Sequence, residues 1–187
     1  MTTRLVTALG LALVLAGCGS SPPTHYYTLD AVPAATQPAA GAPLQVVAVH
    51  IPSSLDRQEM VRQTAANQVD VSDQNRWSAP FDEMTQRVLT QDLAARLPKG
   101  AVILPQQPAP PNARKVVVDI LQFERQASGD VTFDGSWSLL RADGTTPVAS
   151  RHIHLKEAAG ADYAAQAQAM SRILGTIADQ IATAAAG

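Results

Sequence analysis

The sequence predicts a single α/β domain, in which a mixed β-sheet with an antiparallel C-terminal meander packs against two main amphipathic helices. Two segments repeat apolar residues at helical spacing, whereas most of the remaining chain alternates at strand spacing or forms short apolar runs. The chain has 187 residues, of which 46% are hydrophobic and 4% are aromatic. We therefore expect one core, built mainly from Ala, Val, Leu and Ile.

The first half of the domain contains four predicted strands. His25–Leu29 is rich in β-formers, and Leu44–Ile51 is an almost continuous apolar run that predicts a strand buried on both faces. Between these two strands lies an Ala/Pro-rich connection, which we expect to be exposed and extended. Glu59–Gln63 and Gln68–Ser72 alternate in polarity and predict a hairpin that turns at Ala66-Asn67.

Both helices are indicated by apolar spacing together with terminal signals. Trp77–Leu97 places its apolar residues on one face, and Ser78 is suited to cap its N-terminus. The second helix is predicted near the C-terminus, where Asp162 can cap it and a buried stripe extends from Tyr163 to Ile181.

A short strand, Ala101–Leu104, and three longer ones follow the first helix. Gly129 and Gly144 lie in sequences typical of hairpin turns, so the three long strands predict an antiparallel meander. These strands are Lys115–Gln126, Val131–Arg141 and Val148–Glu157. In the first of them, strict alternation places Val116, Val118, Ile120 and Gln122 on one face and Val117, Asp119, Leu121, Phe123 and Arg125 on the other.

The start of the chain has the pattern of a bacterial lipoprotein signal. Arg4 is followed by an apolar run, Leu5–Ala16, and Leu15–Cys18 reads LAGC. The run would span about 18 Å as a helix, short of the roughly 30 Å hydrocarbon core, so it does not predict a transmembrane anchor. We predict that Cys18, the single cysteine, carries S-diacylglycerol and an N-acyl chain. A chance cysteine in an ordinary secretory signal is the alternative.

This reading divides the chain into a cleaved signal peptide (1–17), a lipidated tether (18–24) and a domain (25–187). Acyl chains contribute about 0.8 kcal/mol per buried CH₂, so three chains would hold the protein firmly on a membrane. Gly19 follows the lipidated cysteine, in place of the Asp that commonly retains enterobacterial lipoproteins at the inner membrane. We therefore expect an outer-membrane anchor and a domain in the periplasm of a Gram-negative bacterium.

Composition and motifs argue against several other function classes. The net charge of −2 provides no basic face for nucleic acid. The sequence contains no phosphate-binding Gly loop, nucleophile elbow, zinc-type Cys/His cluster or EF-hand loop. We therefore expect no catalytic residues, no metal and no cofactor beyond the lipid on Cys18. His152 and His154 have a spacing that can chelate a metal, but without a third ligand we favour a solvated strand face.

Two short Arg-containing segments, Leu55–Arg57 and Asn75–Trp77, are interpreted as loops beside strand or helix ends. Arg and Trp are enriched at the centres of protein interfaces, so Asp56, Arg57, Arg76 and Trp77 are candidate partner-binding residues. The structural alternative pairs Asp56 with Arg57 or Arg76 and places Trp77 over the helix start as a hydrophobic staple.

Three segments carry a resemblance to one known family. Ser20–Leu29 (SSPPTHYYTL), directly after the lipoprotein signal, resembles the start of the ABC-type transport auxiliary lipoproteins, the PqiC (YmbA) family. Val49–Arg62 resembles that family's stretch of Ile-Pro, Leu-Asp-Arg and a following Val and Arg. Asn75–Phe81 (NRWSAPF) resembles its Arg-Trp helix start. Ser53-Ser54 departs from the pattern, since an aromatic residue is common there.

The resemblance implies a three-layer α/β fold and a role in MCE-type intermembrane lipid transport that supports membrane integrity. In such systems an inner-membrane permease or ABC transporter works with an MCE-domain protein that bridges the periplasm. The auxiliary lipoprotein would dock this bridge at the outer membrane. Phospholipid is the candidate cargo, and a homo-oligomer around the bridge is compatible with this role. The alternatives are a lipoprotein that assists barrel or lipopolysaccharide assembly and, without any supporting motif, a periplasmic hydrolase.

Overall fold

The computed structural model describes residues 22–39 and 41–186. Cys18, Gly19 and the predicted signal peptide lie outside the described residues. In chain order the elements are β1 (His25–Tyr27), β2 (Leu44–His50), β3 (Glu59–Ala65), β4 (Gln68–Trp77), α1 (Phe81–Arg96), β5 (Arg114–Arg125), β6 (Asp130–Leu140), β7 (Pro147–Ala158) and α2 (Tyr163–Ala186).

The seven strands form one mixed, open sheet. Its order is β1-β4-β3-β5-β6-β7, and β2 pairs with the N-terminal half of β5, on the edge that β3 joins further along. Parallel pairing joins β1 to β4, and both β2 and β3 to β5. The β5-β6-β7 meander and the β3–β4 hairpin are antiparallel. The predicted mixed α/β domain is confirmed.

The two helices pack on one face of the sheet and against each other. Nε of Arg96 in α1 lies 2.7 Å from Oδ1 of Asp179 in α2. Asp162 caps α2 as predicted, because its Oδ1 accepts the N–H of Ala165 at 2.7 Å. The fully buried helix residues include Val88, Leu89, Leu93, Leu174, Ile177 and Ile181.

An extended segment, residues 28–39, follows the groove between the helices. The N–H of Val32 donates to Oδ1 of Asp92 at 2.7 Å, and the N–H of Asp30 donates to Oγ of Ser171 at 3.1 Å. Leu29 is completely buried. The predicted connection is therefore extended, but it is hydrogen-bonded to both helices. The domain has three layers, which are the sheet, the pair of helices and this segment.

Two predictions about strand faces were wrong. β2 is not buried on both faces: Val47 is 38% exposed, because both helices lie on the other side of the sheet. Strict alternation fails in β5, where the register with β6 shifts between Ile120 and Gln122. Leu121 faces outward as alternation predicts and is 66% exposed, but the bulge brings Phe123 into the core at 0%.

The start of α1 also differs from prediction. The helix begins at Phe81, and Pro80 occupies the N-cap without a side-chain hydrogen bond. Ser78 lies two residues before the N-cap, and its hydroxyl donates to Sδ of Met84 at 3.7 Å rather than accepting a helix N–H. Residues 75–77 form the end of β4 rather than a loop. The expected strand at Ala101–Leu104 is reduced to one bridge between Val102 and Leu44. Within residues 22–39 and 41–186, no helix is long and apolar enough to cross a bilayer.

Candidate docking surface

Three segments that are distant in the sequence meet where β1, β4 and the loop before β3 converge. The N–H of Trp77 donates to the Gln58 carbonyl at 2.7 Å, and the N–H of Ser78 donates to the Tyr27 carbonyl at 2.9 Å. These bonds join the His-Tyr-Tyr, Leu-Asp-Arg and Arg-Trp segments, which are the three that resemble the auxiliary lipoproteins. The convergence makes this region the candidate functional site.

Strand register arranges the exposed side chains of this region in a row. Arg76 in β4 is paired with Tyr26 in β1 on one side and with Glu59 in β3 on the other. The loop immediately before Glu59 supplies Asp56 and Arg57. We define the docking surface as Tyr26, Asp56, Arg57, Glu59 and Arg76.

The loop at 52–58 projects Asp56 and Arg57 because Leu55 points inward. Leu55 is 7% exposed, and it lines a small interior space together with Trp77 and Phe81. Its N–H donates to the Pro52 carbonyl at 2.9 Å, and its carbonyl accepts the N–H of Arg57 at 2.9 Å. These two bonds and one apolar anchor hold the loop in a tight turn. The charged residues that follow Leu55 are left exposed.

Arg76 is the partly buried cation of the docking surface. Its Nη2 lies 3.4 Å from Oε1 of Glu59, and the two side chains are 34% and 30% exposed. Its Nε is buried and has no hydrogen-bond partner among the described residues. Beside it, Tyr26 is 63% exposed. An exposed Tyr next to a half-buried Arg is a combination typical of protein interfaces.

The four predicted partner-binding residues differ in how far they are exposed. Asp56 and Arg57 are exposed, and neither side chain forms an ion pair within the described part of the chain. The expected Asp56–Arg76 pair is not formed, since Arg76 pairs with Glu59 instead. Trp77 is only 4% exposed, and its ring lies 5.2 Å from that of Phe81. Trp77 therefore supports the surface from below and offers almost no area to a partner.

Sequence reasoning missed Tyr26 and Glu59 as members of this surface. Both belong to strands, and their association with Arg76 follows only from the pairing of β1 and β3 with β4. The available signal was the alternation in β1, since Tyr27 turns inward, where its hydroxyl donates to Oδ1 of Asn75 at 2.9 Å. Tyr26, its neighbour, must then face outward.

A groove of about 420 Å³ adjoins the docking surface between β1 and α2. Its walls include Tyr26, Tyr27, Asp30, Ser171 and Arg172. Aromatic faces, a hydroxyl and both signs of charge thus lie next to the exposed Tyr26. The groove gives the docking surface a concave margin.

His152 and His154 lie elsewhere, on the sheet face that the helices leave open. Nε2 of His152 is 3.4 Å from Oδ1 of Asp134, and Nδ1 of His154 is 3.0 Å from Oδ2 of the same carboxylate. The two imidazoles are 62% and 51% exposed. Among residues 22–39 and 41–186, no group of three or more His, Cys, Asp or Glu side chains is arranged to hold a metal ion.

Comparison with known families shows where this chain belongs. The model of the family described as "ABC-type transport auxiliary lipoprotein component" matches residues 27–182. The chain belongs to this family. The matched range includes four of the five residues of the docking surface, and Tyr26 directly precedes it. The resemblance recognised in the sequence is thereby confirmed.

Solved structures share the fold of this family member. A crystal structure of an uncharacterized protein has a TM-score of 0.71 at 21% identity, covering 87% of this chain and 98% of that chain. Protein XCC0632 from Xanthomonas campestris, assigned to the family DUF330, has a TM-score of 0.65 at 18% identity, covering 84% and 91%. Among curated proteins, none matches this chain. At these identities the solved structures establish the fold alone.

Proposed function

We propose that this auxiliary lipoprotein is anchored to the outer membrane through Cys18 and docks the MCE-domain protein of an intermembrane lipid transport system. The role is non-enzymatic and requires no cofactor besides the covalent lipid. The observation that carries the proposal is the convergence of the three family-like segments on one surface, through the Trp77–Gln58 and Ser78–Tyr27 hydrogen bonds. Family membership supplies the transport context, and the sequence LAGC supplies the anchor.

The chemistry of the surface suits a protein partner. Tyr26 provides a large exposed ring that loses little conformational freedom on binding. Arg57 is an exposed cation, and Arg76 retains one buried Nε–H without an acceptor among the described residues. A partner carboxylate can pair with the accessible part of Arg76, whose side chain is 34% exposed. We therefore expect a binding segment that combines an acidic group with an apolar contact for Tyr26.

The proposal is tested by affinity purification of the acylated protein from native membranes, with mass spectrometry of proteins and lipids. We expect an MCE-domain protein and its inner-membrane permease or ABC transporter to be recovered. Recovery of a barrel or lipopolysaccharide export component in their place would support the assembly role and contradict ours. Phospholipid recovered beyond the anchor would support direct handling of lipid by this protein.

Matched substitutions test the docking surface itself. Arg57→Ala and Tyr26→Ala should lower recovery of the MCE-domain protein, because both side chains are exposed and neither contributes to the core. Arg151→Ala is the control, since Arg151 is an exposed arginine in β7, remote from β1 and β4 in the strand order. Equal recovery from all three folded variants would exclude this surface as the docking site.

A further inference from the structure

The β3–β4 hairpin protrudes from one end of the sheet. Arg62 in β3 lies opposite Arg125, the last residue of β5, but β3 continues to Ala65 before the chain turns. At the rise of a β-strand, the hairpin reaches roughly 10 Å past the end of β5. Asn67 adopts φ 60° in the turn, a conformation that Asn tolerates and that tight hairpin turns require.

The protruding part is uncharged and exposes apolar side chains. Residues 63–69 read QTAANQV, without a single Asp, Glu, Lys or Arg. Val69 in this part is 59% exposed, and Val71, which pairs with Val61 just outside it, is 36% exposed. The two valines are separated by one residue in β4 and therefore lie on the same face. Because residues 63–69 carry no charge, contact of this part with a partner or a membrane would remove no ionised group from water.

The pairing of β1 with β4 determines the direction in which the hairpin points. The two strands are parallel, with His25 opposite Asn75. From Asn75, β4 extends back eight residues to the turn at Asn67. This distance is about 26 Å, toward the side from which the chain enters β1.

The length of the chain before β1 limits its distance from the bilayer. Cys18 precedes His25 by seven residues, and a fully extended chain of seven residues spans at most about 25 Å. Acyl chains on Cys18 would therefore hold His25 within about 25 Å of the lipid. The hairpin reaches about the same distance in the same direction.

We propose that the tip of the β3–β4 hairpin, residues 63–69, rests on the surface of the bilayer that holds the Cys18 lipid. This inference depends on the proposed acylation of Cys18. The acyl chains provide the affinity and the hairpin provides a second point of contact, which fixes the orientation of the domain. Tyr26 and Arg76 are then held about 30 Å above the lipid head groups, where a periplasmic partner can reach them.

The single cysteine of the chain allows a site-specific test in the full, acylated protein. Once Cys18 is a thioether, a cysteine introduced by Ala66→Cys or Thr145→Cys is the only free thiol and takes a fluorescent label. Thr145 is the control, because the β6–β7 turn lies at the opposite end of the sheet from the hairpin. Each protein is reconstituted in vesicles of phosphatidylethanolamine and phosphatidylglycerol that contain a head-group nitroxide quencher.

We expect loss of fluorescence for the label at position 66 and none for the label at 145. Val69→Asp in the Ala66→Cys background should restore the fluorescence, because a carboxylate disfavours contact with an anionic lipid surface. A long Gly/Ser insertion between Ser21 and Pro22 should also restore it, because the hairpin is then no longer confined near the bilayer.

Flotation of the vesicles separates failure of this inference from failure of the anchor. A protein that does not float with the vesicles contradicts the proposed acylation itself. A protein that floats but shows equal fluorescence at positions 66 and 145 keeps its anchor and overturns the hairpin contact. Quenching at position 66 that appears only with an added partner protein, or only at high protein density on the vesicles, would show that the hairpin does not reach the bilayer by itself and would overturn the inference.

Discussion

Asp92 and Arg96 form an ion pair of 3.1 Å inside the protein, with side chains that are 0% and 3% exposed. Oδ1 of Asp92 also accepts the N–H of Val32 at 2.7 Å, and Arg96 continues to Asp179 in α2. The pair therefore joins the extended segment 28–39 to both helices. Burial raises the pKa of Asp92, although the Val32 amide and the charge of Arg96 act in the opposite direction.

Removing the cation of this pair should be strongly destabilising. Arg96→Met leaves a buried carboxylate without its counter-charge, and we expect the free energy of unfolding to fall by about 3–5 kcal/mol. The measurement is chemical denaturation, together with hydrogen exchange of the Val32 amide, which should become faster. The double variant Asp92→Leu/Arg96→Met should recover part of the loss, because no buried charge remains. A double variant less stable than Arg96→Met would contradict this account.

The same variant should show a defined dependence on pH. A carboxyl group whose pKa is higher in the folded state than in the unfolded state stabilises the fold below its ordinary pKa. That contribution is lost as the pH rises through the folded-state pKa. Without Arg96 the pKa of Asp92 should rise further, so the deficit of Arg96→Met should be smaller near about pH 4 than at neutral pH. An equal deficit at both pH values would show that lost packing, not charge, is responsible.

The sequence could predict elements but not this pair. Both helices, the hairpin and the meander follow from apolar periodicity and turn residues, which are local signals. Asp92 and Arg96 are four residues apart on a helix, a spacing typical of an exposed ion pair. Their burial depends on the segment that contains Val32, which lies 60 residues before Asp92 in the chain. The docking surface shows the same limit, because Tyr26 and Glu59 join Arg76 only through strand pairing.

Gly135 in β6 should be intolerant of any side chain. A Cβ at this position would clash with the Asp119 carbonyl oxygen and lie 3.1 Å from the ring of Phe133. Backbone of β5 would have to move away, so Gly135→Ala should lower the free energy of unfolding by about 1–3 kcal/mol or more. Urea denaturation can be compared with Ser136→Ala, the next residue of the same strand, which should change stability little. Matching midpoints for the two variants would show that the sheet accommodates the added methyl group.

Trp77 should behave as a core residue rather than as a contact residue. Trp77→Ala removes a ring that is 4% exposed and should cost about 3–5 kcal/mol of stability. Trp77→Phe keeps an aromatic ring against Phe81 and should cost less. Arg57→Ala should leave the unfolding midpoint unchanged, because its side chain is exposed and forms no ion pair among the described residues. Full stability of Trp77→Ala in thermal unfolding would refute this assignment.

The β6–β7 turn offers a prediction about an exposed carboxylate. Asp143 accepts hydrogen bonds from Oγ1 of Thr146 at 2.6 Å and from the N–H groups of Thr145 and Thr146, each at 2.8 Å. These bonds hold the pKa of Asp143 well below its usual range, and the largest contribution comes from the Thr146 hydroxyl. Thr146→Val removes that donor and should raise the pKa of Asp143 toward its ordinary value. Carboxyl NMR titration measures the shift directly.

The lowered pKa of Asp143 also determines the direction in which the stability of the protein changes with pH. Because the folded-state pKa of Asp143 is depressed, its contribution is complete above the ordinary value of 3.8 and is lost as the pH falls below it. Thr146→Val should reduce this contribution, so acid unfolding should begin at a higher pH than in the parent protein. Thr145→Val is the matched control, since the Thr145 hydroxyl contributes least to the pKa of Asp143. If both variants titrate alike, the Thr146 hydroxyl does not determine the pKa of Asp143.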